Sequence, residues 1–421
     1  MSLIAARSSP DLPVEGNEPP LAAADDRYVV GLVSVGHFFS HFYLLALPPL
    51  FLILRDEFQV GFAALGLAMT CYNLVGGVLQ GPVGFLVDRL GARYVLIGGL
   101  AMNAAAMAGI GLVDAYWQII ALALVAGIGN SVFHPADYSI LSAAVRPERL
   151  ARAFSVHSFA AFVGGGVAPM TIGALAAFWD WRIALIATSA AGVVLAALML
   201  VQRDRLVDER DVARRASTQD TPGSGSGSVV LNRAVLIFFL FFAAFGVANA
   251  GLYNFTASAL TEAHGIDRAT AGIAMSAALL GMPAGVLLGG WLAERDGRHH
   301  RFVALWMTVA GIAAALPAFV ALDGLPLIAT LTVVGMAFGA SLPPRDVLIR
   351  LAAPAGGTGR VFGFVFVGNS LGIGLAPIAF GWLIDHGAAA AVFAAMGAFY
   401  LVSMGLVLAA QAAAHRRGAD A

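Results

Sequence analysis

Five ionisable side chains lie inside otherwise apolar stretches, and they set the chemistry open to this chain. His37 and His41 are four residues apart, so on a helix they share one face. His134 and Asp137 fall in a second apolar stretch, and His157 in a third. At ~1.5 Å per helical residue, His37 lies about 14 Å and His41 about 20 Å in from Tyr28, and His134 about 18 Å in from Arg146. Three imidazoles therefore reach similar depth. In hydrocarbon an ionisable residue is costly and by default marks function. Imidazole titrates near neutral pH, which suits a proton carrier. Imidazole with carboxylate also suits a transition-metal path. The sequence has no Met-x-x-x-Met or His-x-x-x-Met pattern to support that path, so the proton reading is preferred and no metal is assigned.

A second charged group is Arg345 with Asp346, directly after Pro343 and Pro344. An arginine at membrane depth must be paired or face water. Asp346 can pair with it, and so can the carboxylate or phosphonate of a ligand, which guanidinium binds through two hydrogen bonds. Asn249, Tyr253, Asn254 and Asn369 are candidate donors to orient such a ligand, and Phe38, Phe42 and Phe133 supply apolar contact. Pro135 interrupts the helix beside His134 and frees backbone groups that could also bind substrate.

Only a membrane can accommodate the surrounding elements. Of the 421 residues, 59% are hydrophobic and 12% charged, about half the charge of a typical soluble protein. The apolar residues come in runs of 20 or more, the length that crosses hydrocarbon. All 24 basic residues are arginine. Without lysine there is no Walker A loop and no Schiff-base chemistry. Cys71 is the single cysteine, so no disulfide forms within the chain. No HExxH, GxSxG or paired-carboxylate constellation is present. The sequence therefore reads as a non-enzyme, with no cofactor and no nucleic-acid partner.

Twelve apolar segments fall near 28–54, 60–87, 94–113, 116–145, 151–177 and 182–202, then 233–260, 268–293, 301–321, 326–352, 360–384 and 388–410. They predict an all-α membrane protein, since backbone groups in lipid must be satisfied within each segment. The organisation is a disordered tail (1–27), a six-helix bundle (28–202), a charged then Gly/Ser-rich linker (203–232), a second bundle (233–410) and a tail (411–421). If both termini are cytosolic, the cytosolic side holds twenty arginines. The other side holds three, Arg55, Arg182 and Arg268. That bias obeys the positive-inside rule and predicts an inner-membrane protein with both ends in the cytosol. His299 and His300 then fall in a cytosolic loop, as solvated charge.

The halves also repeat. GFLVDRLGAR at 84–93 and GWLAERDGRHHR at 290–301 place the same charged knot after a long apolar run. GVAPMTIG at 166–173 parallels GLAPIAFG at 374–381, and SVFHPAD at 131–137 parallels SLPPRD at 341–346. Offsets near 208 at three landmarks predict one six-span unit present twice in parallel orientation, with a substrate site between rocking halves. Glycine permits close helix approach, and a carboxylate at a helix foot can meet the positive N-terminus of a neighbour.

From about residue 28 to 410 the chain resembles the major facilitator superfamily. Gly84, Asp88, Arg89, Gly91 and Arg93 match its motif G-x-x-x-D-R-x-G-R-R/K, with Ala92 at a usually basic position. The second copy keeps Gly290, Arg295, Gly297 and Arg298, with Glu294 for aspartate. The resemblance implies that Asp88 latches the outward-facing state and that both knots serve as gates. It also implies that spans 1 and 4 line a central cavity. GIGNSVFHPADYS (127–139) with GGGVAP (164–169) is similar to the fosmidomycin-resistance-like exporters. Gly165, Pro169 and Gly173 keep part of an antiporter motif, but Ala168 departs from it. Ala123 stands where many proton-coupled members carry an arginine.

Together these features predict a monomeric secondary transporter working by alternating access. It would move a small anionic organic molecule, coupled to protons and in the direction of export. Import of a small organic acid is the alternative, and a transition-metal ion carried by the histidines a more distant one.

Overall fold

The computed structural model describes residues 23–208, 233–295, 297–352 and 358–419. Of the expected tails, 1–27 and 411–421, residues 23–27 and 411–419 are instead helical, as extensions of the first and last helices; the rest, and most of the expected linker (209–232), lie outside the described residues. Twelve helical spans follow one another: Asp26–Phe58, Phe62–Leu90, Ala92–Ile110, Tyr116–Ala144, Arg152–Phe178 and Trp181–Val201, then Arg233–Asn254, Arg268–Leu292, His299–Phe319, Gly324–Ala352, Gly363–Asp385 and Ala390–Ala412. We number them spans 1 to 12. Among the described residues there is no strand.

Three spans are interrupted, each where the sequence removes or redirects backbone hydrogen bonds. Span 1 turns at Pro48–Leu50 before a short helix, Phe51–Phe58. Span 4 is broken after Asn130 and resumes at Phe133. Pro135 has no N–H, and its ring crowds the carbonyl four residues back, at Ser131. The Ser131 hydroxyl donates to the Ile128 carbonyl at 2.7 Å, satisfying one group freed by the break. Span 7 ends at Asn254 and continues as Thr256–His264. There Asn254 and Thr256 donate to the carbonyls of Ala250 and Leu252, both at 2.9 Å.

Lipid gives helices little hydrophobic reason to associate, so they pack through small residues that admit a neighbour's backbone. Spans 8 and 10 interlock this way. Gly285 lies under the Met336 carbonyl and Gly339 under that of Met282, and a Cβ at either would overlap backbone. Within the first half, Gly127 of span 4 sits against the Tyr72 carbonyl of span 2.

The two halves meet along spans 2 and 11 and along spans 5 and 8. Their closest approach is at the arginine-poor end, where Gly66 faces the Pro377 carbonyl and Gly381 the Phe62 carbonyl. Contact continues to Gly77, whose Cβ would stand 3.0 Å from Ser370 Oγ. Beyond that level nothing lies within 4 Å of the Cβ positions of Gly81, Gly84 or Gly363. The halves therefore part toward the arginine-rich end.

Four polar ties fasten the closed end. Arg55 donates to Glu262 at 2.6 Å, and Arg268 to Asp56 at 3.4 Å. Directly after Pro169, which lies inside span 5, the Met170 N–H donates to Ser276 Oγ of span 8 at 3.1 Å. The fourth is a cap supplied in trans. Span 2 starts at Gly61, which has no side chain to cap it, and the Asp385 carboxylate of span 11 accepts from the Phe62 and Ala63 N–H groups at 2.7 and 2.8 Å.

Candidate functional site

Spans 1, 4 and 5 bring the membrane histidines together around one carboxylate. His37 Nδ1 lies 3.0 Å and His157 Nε2 3.7 Å from Asp137 Oδ2. The rings of His37 and His157 stack at 3.8 Å, and His37 lies 5.0 Å from His41 and 5.1 Å from His134. His37, Asp137 and His157 are 3%, 0% and 1% exposed, and His41 and His134 are half-buried. Burial would demand full hydrogen bonding, yet neither Asp137 oxygen and neither His157 nitrogen has a hydrogen-bond partner, and His37 Nδ1 and His134 Nδ1 also lack one. The close His37–Asp137 contact is an ion-pair distance without hydrogen-bond alignment. A polar group left in this condition is costly in a low-dielectric interior.

Local sequence explains the convergence. The span 4 break sits one turn before Asp137, so the second segment points His134, Asp137 and Tyr138 independently of the helix before it. Span 5 approaches span 1 closely because Gly164 faces the Phe38 carbonyl, which lets His157 reach His37. Phe133, 6.2 Å from His37 and fully buried, and Phe42 complete the apolar wall within the first half.

Asp346 of span 10 occupies the position matching Asp137 in the second half. Arg345 donates through Nε to Asp346 Oδ1 at 2.9 Å, and Nη2 lies 2.8 Å from the same oxygen. The guanidinium is 6% exposed and lies over Phe242 at 4.6 Å and Phe245 at 5.4 Å, whereas the Asp346 side chain is 46% exposed. A planar cation held between rings is favoured there and kept in one orientation.

Tyr138, which the sequence did not single out, lies beside the first centre and within electrostatic range of the second. It stacks on His134 at 5.8 Å, is 45% exposed, and interacts electrostatically with Asp346 of the opposite half. Its signal was its place one residue after Asp137.

Other predicted donors fall elsewhere. Asn249 accepts from the Tyr400 hydroxyl at 2.9 Å and Asn254 caps its own helix, so both are buried within the second half. Tyr253 is half-buried beside Met282 and close enough to Arg345 to interact electrostatically. Asn369 is half-buried on span 11, its backbone against Gly246. His299 and His300 open the span 9 helix and are half-buried there rather than lying in a solvated loop.

The charged knots lie at the parted end. Asp88 is exposed beside a cleft of about 260 Å³ shared with Pro135, Tyr138 and Ser142. Gly91 has φ +92°, a conformation that favours glycine, and the buried Asp208 caps the span 3 N-terminus by accepting from the Ala92 N–H at 2.6 Å. Arg89 and Arg93 each have a partner. In the second copy nothing lies within 4 Å of the Cβ position of Gly290, and Arg295 and Arg298 are exposed, with the Arg295 guanidinium 3.8 Å from the Trp291 ring. The Glu294 side chain lies outside the described residues.

Two like six-span bundles, sealed at one end and parted at the other, with a polar centre in each, define a membrane transporter. The chain belongs to the Major Facilitator Superfamily, whose family model matches residues 33–256 and 247–419. It is 22% identical over 321 residues to the fosmidomycin resistance protein of Escherichia coli (strain K12), covering 73% of this chain and 75% of that protein. It is 24% identical over 341 residues to the multidrug resistance protein MdtH of Shigella sonnei (strain Ss046), covering 79% and 81%. Its fold matches a bacterial homolog of the human lysosomal transporter Spinster in an inward-facing, occupied conformation, with TM-score 0.74, 15% identity and coverage of 93% and 97%. The nucleoside transporter NupG matches with TM-score 0.72, 16% identity and coverage of 91% and 99%. The protein is a twelve-span secondary transporter.

Proposed function

We propose that the chain acts as a monomer and exports a small anionic organic molecule across the inner membrane by alternating access, with protons as the coupling ion. The observation that carries this reading is Arg345, a buried guanidinium held against aromatic rings beside a half-exposed Asp346. Its Nε and Nη2 share one oxygen of Asp346, so this is not a fork-to-fork pair that uses both carboxylate oxygens. An incoming carboxylate or phosphonate can therefore join or displace Asp346. Asp137 with His37, His41, His134 and His157 faces it from the other half as the element that takes the coupling proton. Both relatives are named for drug resistance, which supports efflux. The arginine bias supports cytosolic termini, which makes the parted end the cytosolic mouth. Exposed Asp88 then fits a gate released in this state, with Gly84, Arg89, Gly91 and Arg93, and with the second knot, as its other parts.

The test is a thermal-unfolding screen of the purified protein against small carboxylates and phosphonates. Flux of any stabilising anion is then followed in proteoliposomes under an imposed pH gradient. A ligand at 100 times its Kd raises stability by about 2.7 kcal/mol, a readily measured shift. At least one anion should stabilise the protein, and the gradient should accelerate its movement. Absence of any stabilising anion, or flux indifferent to the gradient, refutes the reading.

A further inference from the structure

We infer that His37, His134 and His157, oriented by Asp137, form a binding site for one divalent transition-metal ion, of the zinc or cobalt class, in the first half. One ligand nitrogen from each histidine lies within 4.8 Å of the other two. At ~2.0–2.1 Å per metal–nitrogen bond, tetrahedral ligand atoms stand about 3.4 Å apart. Closing the set requires the His37 and His157 rings to turn out of their 3.8 Å stack, so that both in-plane lone pairs meet at one point. His134, on the short segment after the span 4 break, has the most freedom to adjust.

The surroundings fit a metal in two further respects. Metal-ligating histidines characteristically present their second nitrogen to a carboxylate, which fixes the ring and raises its basicity. Asp137 Oδ2 stands 3.0 Å from His37 Nδ1 and 3.7 Å from His157 Nε2, within reach of that role once the rings turn, which leaves His37 Nε2 and His157 Nδ1 for the metal. The protein also leaves these groups unsatisfied: six side-chain atoms on His37, His134, Asp137 and His157 are buried without a hydrogen-bond partner. A dication would neutralise the carboxylate and use the imidazole nitrogens together. Three imidazoles leave a fourth coordination position open. Pro135 and Tyr138, beside and one turn after His134, line a cleft of about 260 Å³ at the parted end, so that position is within reach of water or of an anionic ligand.

The inference goes beyond the transport reading and competes with its proton assignment, because imidazoles that hold a metal ion do not also carry the coupling proton. Metal binding is measured without flux, so the two readings fail separately. Purified protein free of any polyhistidine tag is titrated with Co²⁺ and followed by visible d–d absorption, with Zn²⁺ as competitor. One equivalent of Co²⁺ should bind with the intense bands of a low-symmetry, nitrogen-rich centre, and Zn²⁺ should abolish them. His37→Ala and His134→Ala should each lose the bands. Asp137→Asn should weaken affinity by about 10–100-fold, as expected of an outer-shell carboxylate. His299→Ala/His300→Ala, half-buried at the start of span 9 in the other half, should leave the titration unchanged. Metal-free thermal unfolding of each variant separates lost ligation from lost folding, and His157→Gln offers a milder change should alanine variants misfold. No saturable Co²⁺ signal in the wild type overturns the inference. So does a signal that survives in folded His37→Ala and His134→Ala, or one that disappears with His299 and His300.

Discussion

Arg345→Ala is expected to abolish binding of the stabilising anion while leaving the protein folded. Removing one member of a desolvated charge pair between ligand and protein costs about 2–5 kcal/mol, a loss of roughly thirtyfold or more in affinity. Folding should be spared for a reason visible in the site. The partner left behind, Asp346, has a side chain that is 46% exposed and therefore stays solvated. The folded state loses the guanidinium's contacts with Phe242 and Phe245, worth about 1 kcal/mol. Arg345→Lys is the sharper comparison. Lysine keeps the charge but cannot offer two parallel donors or lie flat on a ring, so most of the loss should persist. The thermal shift with saturating anion reads the first effect, and unfolding without ligand reads the second. Undiminished ligand shifts in Arg345→Ala would move the anion site elsewhere.

Asp385→Ala should tip the protein away from the conformation described here. The Asp385 carboxylate accepts two N–H bonds at the N-terminus of span 2, where backbone partial charge is positive. Hydrogen bonds to a charged group contribute about 1.5–3 kcal/mol each when buried. Asp385 is solvent-exposed, so a combined bias of about 1–3 kcal/mol is the expectation, a five- to 150-fold change in the conformational equilibrium. The exposed pairs Arg55–Glu262 and Arg268–Asp56 add little, since such pairs contribute about 0–1 kcal/mol. Spin labels at Tyr94 and Arg301, in a Cys71→Ser background, would report the separation of the arginine-rich ends. Asp385→Ala should populate a shorter distance, and Asp385→Asn should fall between it and the wild type. Distance distributions that coincide in all three proteins would remove Asp385 as a latch.

Much of the architecture was readable because lipid simplifies the code. Apolar length alone located twelve spans, and repeated landmarks such as Gly84 and Gly290 located two halves. Depth arithmetic along spans 1 and 4 placed His37, His41 and His134 at one level, and they do come together. Helix rotation was not readable, because these spans are apolar on most faces and carry almost no amphipathic stripe. Asn249 and Asn254 therefore looked like crevice donors, although one is bonded to Tyr400 and the other to its own helix. Asp385 was invisible for another reason. A carboxylate at the end of a span reads as an ordinary interfacial charge until the N-terminus it caps, 322 and 323 residues away in sequence, is seen beside it.

Gly61 and Asp267, 206 residues apart in sequence, occupy matching places before spans 2 and 8. Asp267 serves its own helix, accepting from the Ala269 and Thr270 N–H groups at 3.0 Å each, and the hydrogen bonds of Thr270 hold its carboxyl below the usual range. Gly61 can do nothing of the kind. Separation of the sealed ends therefore strips one bundle of something the other never borrowed. In the opposite state, amide exchange should quicken at Phe62 and Ala63 while Ala269 and Thr270 stay protected. Repetition thus gave this protein two bundles of six spans, only one of which carries a built-in record of whether the seam is shut.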